Sequence, residues 1–559
     1  MKKGFDFRGL EIHCDRMFDY GQVLRNLDFM ERYGLNTLIF HKNELLDMVV
    51  FPEKFFSMQY MWDRFAPRYS RVLNHRYYIN TVIEECHRRG IQFMMEVKEI
   101  YFDEWIVELH PEVLHPETHR YCPCHPFWWE YLEAKMDEFL EAIPNVDGVI
   151  VSPATRESKI SISANKCGCD ECKNADDAEW YATLLRIMNK KLAAKGKKLA
   201  VRDFAFSASD QTVVLDGANR AGGDIVIALK NTPHDYYPTF PTNAAIGKSG
   251  HDEWIEFDTW GQFIGNGVFP VSLVEDMKER MQDCHALGAT GIWLRTDWEN
   301  MDDHCSFNSP NVLNVIAGAM LSQDIDTDID EIYKEFARYG VLSPLKSASF
   351  IEEPTPLANP ERDFVKLRDF MKACWKVMEK TVFARGLIFQ DNSMFPYTME
   401  RCFAIMLKIH SRSDWDPGAD RRVDPTVENL EAIFAEKRAA VEESQALAAI
   451  LEADSLGLPE YMAEDLKDMI DLYTHYTRAF ELSCKACFSC RLAETTKDPA
   501  DRQKTLAVLE EIKLFQPVLR ERVRKRTYTH EVWRMLDAGR FDVLLQNVGE
   551  HLAAIDFAE

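Results

Sequence analysis

The chain has 559 residues, a formal net charge of −25 and a 46% hydrophobic share, which is the profile of a globular protein too long for one hydrophobic core. The negative charge argues against nucleic acid, whose phosphates it repels, and against anionic membrane surfaces. No apolar run of signal length follows Met1, and no stretch approaches the roughly 20 apolar residues that span a bilayer, so a cytoplasmic location is expected.

Through the first 300 residues, short β-branched runs alternate with helical patterns. The runs are Gly9 to Cys14, Thr37 to His41, Gln92 to Val97, Gly148 to Ser152, Leu199 to Phe204, Asp224 to Leu229, Glu253 to Phe257 and Gly291 to Arg295. Between them lie helical patterns at Tyr20 to Tyr33, Tyr77 to Arg89, Phe127 to Ala142, Ala178 to Ala194 and Leu273 to Leu287. Gly34, Gly90, Gly196 and Gly288 each stand where a helix closes ahead of a strand. Eight runs in this alternation predict an α/β architecture, a (β/α)8 TIM barrel over residues 1–310. No glycine-rich phosphate loop follows the first run, which disfavours a nucleotide-binding open sheet.

From residue 311 to residue 559 the pattern changes to long amphipathic helices. Asn311 to Leu321, Arg362 to Lys380, Pro396 to His410, Val427 to Ala453, Tyr461 to Ala493, Arg502 to Phe515 and His530 to Phe557 predict an all-α C-terminal domain, with Leu342 to Pro360 as linker or lid. That half completes the cleft, forms a homodimer or only stabilises the barrel. No fixed-period repeat and no low-complexity tract occurs.

In a parallel barrel, polar residues just past the carboxyl end of a strand face the substrate mouth. Strand one offers Glu11, His13, Asp15 and Arg16, strand two His41 and Lys42, and strand three Glu96, Lys98 and Glu99. Arg156 and Glu157 follow strand four, and Arg202 and Asp203 end strand five. Lys230, Asn231, His234 and Asp235 follow strand six, Glu256, Asp258 and Trp260 mark strand seven, and Arg295, Asp297 and Trp298 mark strand eight. One strand-end acid is commonly a helix cap or a structural ion pair, but acids at nearly every strand end are too many for caps. Twelve Trp, with many Tyr and Phe, fit stacking on sugar faces.

Two carboxyl groups flanking a glycosidic bond suffice for its hydrolysis, one protonating the leaving oxygen and the other activating water or attacking the anomeric carbon. Glu157 is the candidate general acid. Asp235, Glu256, Asp258 and Asp297 are candidates for the opposite face. The substrate-binding candidates are His13, His41, Lys42, Glu96, Arg156, Lys230, Asn231, His234, Trp260, Arg295, Asp297 and Trp298.

The segment KNTPHDYYP, followed by IEFDTWGQFIG, resembles the α-glucuronidase glycoside hydrolases, which carry a similar Lys-Asn-Gly-Pro-Ile-Asp element and then a Glu-Phe-Gln element ending in Glu-Tyr-Leu-Gly. The resemblance implies a barrel with a helical C-terminal half, places Asp235 on a catalytic carboxylate of that family, and sets VSPATRES, hence Glu157, near the general acid. Where the family has its second catalytic Glu, this chain has Gln262, which cannot act as a base and joins the substrate-binding set. The activating role then passes to Asp235, Asp258 or Glu256. The family's N-terminal β domain has no counterpart here. Lys42, Lys98, Arg156, Lys230 and Arg295 are candidates for holding a uronic carboxylate, each with the alternative of neutralising a neighbouring acid.

Cysteines form a second constellation. Cys167, Cys169 and Cys172, in KCGCDEC, follow strand four, and Cys122, Cys124 and His125, in YCPCHP, follow strand three. Neighbouring strands bring these loops side by side, so soft ligands meet in a tetrahedral zinc site, with unliganded thiols as the alternative. Such a zinc would be structural, holding the loop that carries Glu157, and no cofactor is required for catalysis. Cys484, Cys487 and Cys490 lie within a helical pattern and read as small buried hydrophobes.

The expectation is therefore a glycoside hydrolase acting on the ends of short oligosaccharides, α-glucuronidase-like and inverting. The alternatives are a retaining exo-glycosidase such as a β-N-acetylhexosaminidase and a catalytically silent sugar-binding protein. A carbohydrate is the expected partner, with neither nucleic acid nor membrane.

Overall fold

The computed structural model describes residues 3–154, 157–203, 208–233, 235–298, 304–343, 345–346, 353–389, 393–404, 406–407 and 415–557. Eight parallel strands close into a barrel: β1 (Phe7–Ile12), β2 (Thr37–His41), β3 (Gln92–Lys98), β4 (Gly148–Ser152), β5 (Lys198–Arg202), β6 (Ile225–Lys230), β7 (Glu253–Asp258) and β8 (Gly291–Arg295). β1 pairs with β2 on one side and with β8 on the other, so no strand is left with an open edge.

The expected α/β (β/α)8 fold is therefore present, and the longest of the helices not foreseen are two. Ala208–Ala221 runs between β5 and β6, and Ile329–Tyr339 follows the barrel. The helix expected at Tyr77 begins at Met58 and carries Pro67 within it. Gly34 closes the first helix at φ 66°, a left-handed position that glycine adopts without steric cost.

Strand register sets the barrel interior in layers of four side chains drawn from alternate strands. The lower layers are apolar: Phe7, Ile39, Met94, Ile150, Ala200, Val226, Ala228, Trp254 and Trp293 form one buried cluster. The Phe7 and Trp254 rings stack with centroids 3.6 Å apart. Gly291 makes room for that pair, since a Cβ there would lie 2.5 Å from Trp254 and 2.6 Å from Phe7.

The helix Val312–Gln323 packs against β8 and against the helices Tyr20–Tyr33 and Val274–Ala286, completing the outer ring. Beyond it the described residues are mainly helical, with a two-stranded hairpin at Phe383–Ala384 and Leu387–Ile388. The helices Pro360–Val382, Val427–Ala453, Glu460–Thr496 and Pro499–Arg522 pack on one another in sequence. The stretch expected as one helix from His530 to Phe557 is broken into His530–Met535 and Gly539–Ala553. Cys484, Cys487 and Cys490 are buried in the bundle.

This helical half grips the loop after β7. Phe269 stacks on Tyr473 at 4.7 Å, the Gly265 N–H donates to Ser393 Oγ at 2.8 Å, and the Ser393 hydroxyl donates to the Gln262 carbonyl at 3.0 Å. Among the described residues no helix is long and apolar enough to cross a membrane.

Candidate active site

Above the apolar layers, the interior turns ionic. Glu11, Glu96, Arg202 and Glu256 come from β1, β3, β5 and β7 at one level, and His41, Ser152, Lys230 and Arg295 come from β2, β4, β6 and β8 at the next. All eight are buried. With His41 neutral, three carboxyl groups face the cations Arg202, Lys230 and Arg295. A barrel core ordinarily fills these positions with Val, Ile or Leu, and burying charge is costly unless it is paired.

The pairing is dense. Arg202 donates from Nε to Glu256 Oε2 at 2.6 Å and from Nη2 to Glu256 Oε1 at 2.8 Å, its Nη2 also donates to the Tyr236 hydroxyl at 3.0 Å, and its Nη1 lies 3.1 Å from Glu96 Oε1. Burial pushes the Glu256 carboxyl up, but the Arg202 charge and hydrogen bonds, with Lys230 and Arg295, outweigh it and hold the group at about 2. Glu11 goes the other way: burial, and then the negative charges of Glu96 and Glu256, raise it well above the ordinary carboxyl range.

His41 bridges the acids, with Nδ1 2.8 Å from Glu11 Oε1 and Nε2 3.3 Å from Glu96 Oε1. Its ring stacks on His13 at 3.6 Å. Burial lowers both imidazoles, His13 further through Arg295 and His41 through His13 and Lys98, so both are neutral donor–acceptor groups. Ligand atoms of Glu11, His13 and His41 lie within 4.8 Å of one another. Arg295 Nη2 stands 3.4 Å from His13 Nδ1, however, and the face-to-face rings suit a hydrogen-bonding floor better than metal ligation.

At the rim two carboxylates reach solvent, each on a buried lysine. Glu157 Oε2 is 3.0 Å from Lys98 Nζ, with side-chain exposures of 37% and 1%. Asp235 Oδ1 is 3.1 Å from Lys230 Nζ, with exposures of 22% and 4%. Burial lowers the Lys230 ammonium, and the Asp235 charge partly restores it. Lys98 ends β3 and Lys230 ends β6, so the two pairs stand on different sides of the mouth. Glu99 anchors the Glu157 loop by accepting the Ala154 N–H at 2.7 Å and the Ser158 hydroxyl.

Other candidates are drawn into the scaffold. The Asp258 carboxylate accepts the backbone N–H groups of Trp260, Gly261 and Gln262 at 3.2, 3.0 and 2.9 Å, so it caps the turn after β7. Asp297 accepts the His13 N–H at 2.6 Å and the Cys14 thiol at 2.9 Å, with Arg16 at 3.5 Å, and locks β8 to β1. Trp260, expected at the sugar face, is fully buried beneath Gly267, where a Cβ would run into the indole. Asn231 is buried in a turn, its N–H donating to the Glu256 carbonyl at 3.0 Å.

Gln262 accepts from Arg295 Nη1 at 2.6 Å, a contact that a carboxylate would have made an ion pair. Lys42 pairs with Asp15 at 2.6 Å and Glu44 at 3.7 Å. Trp298 is partly buried just past β8. Arg156 and His234 lie outside the described residues.

Glu11, Arg202 and Tyr236, absent from the expected site set, are central here. The Tyr236 ring lies under Lys230 Nζ at 5.0 Å and under the Arg295 guanidinium at 5.3 Å. Glu11 and Arg202 were visible as strand-end residues. Their shared level was recoverable only from the register.

Of the cysteines, Cys122, Cys167, Cys169 and Cys172 bring their sulfurs within 4.8 Å of one another. Cys124, expected among the ligands, packs beside this group but is not one of the four whose sulfurs converge.

No model of a known protein family matches the chain, and no curated protein matches it. Its structure is similar to that of a GH138 enzyme targeting pectin rhamnogalacturonan II, with a TM-score of 0.67 and 13% identity over 99% of this chain and 69% of that one. Weaker likenesses are to the Thermobaculum terrenum O-GlcNAc hydrolase, with a TM-score of 0.39 and 13% identity over 97% and 94%, and to a Bacteroides fragilis β-N-acetylhexosaminidase, with a TM-score of 0.39 and 14% identity over 59% and 69%. All three are glycoside hydrolases, and none links this chain specifically to the α-glucuronidases that its sequence resembles. At such identities what the chain shares with the first of them is its fold, a (β/α)8 barrel followed by helices.

Proposed function

We propose that the chain is a glycoside hydrolase that removes an acidic sugar from the end of a short oligosaccharide. The observation that carries this reading is the pair of solvent-reaching carboxylates, Glu157 on Lys98 and Asp235 on Lys230, set on different sides of the mouth of an ionic barrel floor. The pectin target of the GH138 enzyme is in keeping with it.

In this mechanism the protonated form of Glu157 donates its proton to the glycosidic oxygen as the bond from that oxygen to the anomeric carbon breaks, leaving the carboxylate that pairs with Lys98. Asp235 takes a proton from a water whose oxygen bonds to the anomeric carbon from the other face, and the anomeric configuration inverts. Lys98 and Lys230 fix the two carboxylates in orientation. Arg295, with a buried Nε that has no hydrogen-bond partner, supplies a donor for a uronic carboxylate beside Gln262 and His13. An α-glucuronide is the leading substrate.

A second reading has its own observation. Glu256, held ionised at about 2 by Arg202, has the charge state a nucleophile needs, and attack by it would retain the anomeric configuration.

The test is turnover of a panel of α- and β-uronides, pectin fragments and N-acetylhexosaminides, with the first-formed anomer read by NMR. Inversion on a uronide supports the first reading. Retention moves the chemistry to Glu256, and silence of the folded protein across the panel overturns both in favour of a sugar-binding role.

A further inference from the structure

Four sulfurs converge where the loops after β3 and β4 meet. Cys122 Sγ lies 3.8 Å from Cys169 Sγ and 3.7 Å from Cys172 Sγ, and Cys167 Sγ lies 3.5 Å from Cys172 Sγ. A zinc ion bound by four thiolates at about 2.3 Å sets its ligands at the corners of a tetrahedron with edges of about 3.8 Å. A disulfide would need roughly 2.05 Å. The sulfurs therefore stand at the spacing of metal ligands and far outside that of a bond between them.

The surrounding backbone is arranged for the same purpose. The Cys172 N–H donates to Cys169 Sγ at 3.3 Å, a hydrogen bond that orients a ligand sulfur. Trp128 Nε1 donates to the Cys122 carbonyl at 3.0 Å and Trp180 Nε1 donates to the Pro123 carbonyl at 2.9 Å, so two indoles hold the loop that carries Cys122. Cys122, Cys167 and Cys172 are buried, which limits competing ligands to protein.

We propose that Cys122, Cys167, Cys169 and Cys172 bind one zinc ion as a closed tetrathiolate site. Binding releases four thiol protons to solvent and leaves a complex of net charge −2, with no electron transferred. No coordination position stays open, so the metal acts as a clasp. It joins the loop after β3 to the loop after β4 that holds Glu157. Cys124 lies outside the ligand set.

The experiment is metal analysis of the full chain purified under reducing conditions, loaded with zinc and desalted, followed by cobalt substitution. About one zinc per chain is expected, with the intense visible bands of tetrahedral four-thiolate cobalt. Cys124→Ser keeps both signals, and Cys169→Ser loses them. A wild-type chain that holds no metal after loading, or one in which Cys167 and Cys172 are found joined as a disulfide, overturns the proposal. So does loss of metal in Cys124→Ser together with retention in Cys169→Ser. Because wild-type protein supplies the cobalt spectrum, a variant that fails to fold does not decide the outcome.

Discussion

Arg202 and Glu256 form a two-point ion pair across the barrel interior, from strand five to strand seven, with both side chains almost wholly buried. The guanidinium also faces Glu96 at 3.1 Å, so one cation answers two carboxylates. Removing one partner of a buried pair costs far more than removing both, because the survivor is left charged in an apolar surround. Arg202→Met is therefore expected to lower stability by about 3–5 kcal/mol, and Arg202→Met combined with Glu256→Met to recover part of that loss. Urea unfolding of the four proteins of this cycle checks it, and additive single effects would show that the pair is not coupled.

Glu157 and Asp235 both reach solvent, and each touches one lysine. Their amides preserve shape while removing the proton chemistry. Glu157→Gln and Asp235→Asn are expected to lower kcat about 10²- to 10⁴-fold, with unfolding midpoints close to wild type. Full activity in Asp235→Asn, with loss in Glu256→Gln, would transfer the role to the barrel floor.

The barrel was legible because its physics is local. Each strand is a short run of apolar or β-branched residues and several helices end at a glycine, so β2, β4 and β8 and the helices Tyr20–Tyr33, Phe127–Ala142 and Val427–Ala453 were readable to the residue. The sequence pattern marks the helix from Met58 only from Tyr77, its first turns carrying Pro67, which the helix holds within it. The site was harder for a different reason. Whether Asp258 is a base or a cap depends on three N–H groups of the following turn, and whether Glu11 joins Glu256 depends on register around the whole barrel. Composition at the strand ends names the acids and leaves their partners open.

Glu99 gives a pH signature. Burial raises its carboxyl to about 7, against the hydrogen bond from the Ala154 N–H and the Lys98 charge, while the unfolded chain keeps the ordinary value near 4.5. Between those values the folded state binds the proton more tightly, so stability is highest below about pH 4.5 and falls as pH rises towards 7. The loss is on the order of 3 kcal/mol. Glu99→Gln mimics the protonated acid, so the stability of the variant relative to wild type is expected to rise across that window and level off above it. Thermal unfolding of both proteins from pH 5 to 8 measures the difference, and a constant offset would show that Glu99 does not titrate there.

Asp258 separates a cap from a catalyst. Its carboxylate accepts three backbone N–H groups at the turn leading to Gln262, and that turn sets the Gln262 side chain against Arg295. An asparagine carbonyl accepts such bonds and a methyl group does not. Asp258→Ala is expected to cost about 1–2 kcal/mol, typical of a lost cap, and to raise KM through a displaced Gln262. Asp258→Asn keeps one acceptor oxygen for the Gly261 and Gln262 N–H groups and loses the bond from Trp260, so it is expected to cost less stability than Asp258→Ala and to keep kcat near wild type. Loss of kcat in Asp258→Asn far beyond what its modest loss of stability explains would instead make Asp258 the base, because the amide oxygen still accepts the Gly261 and Gln262 N–H groups but cannot take a proton.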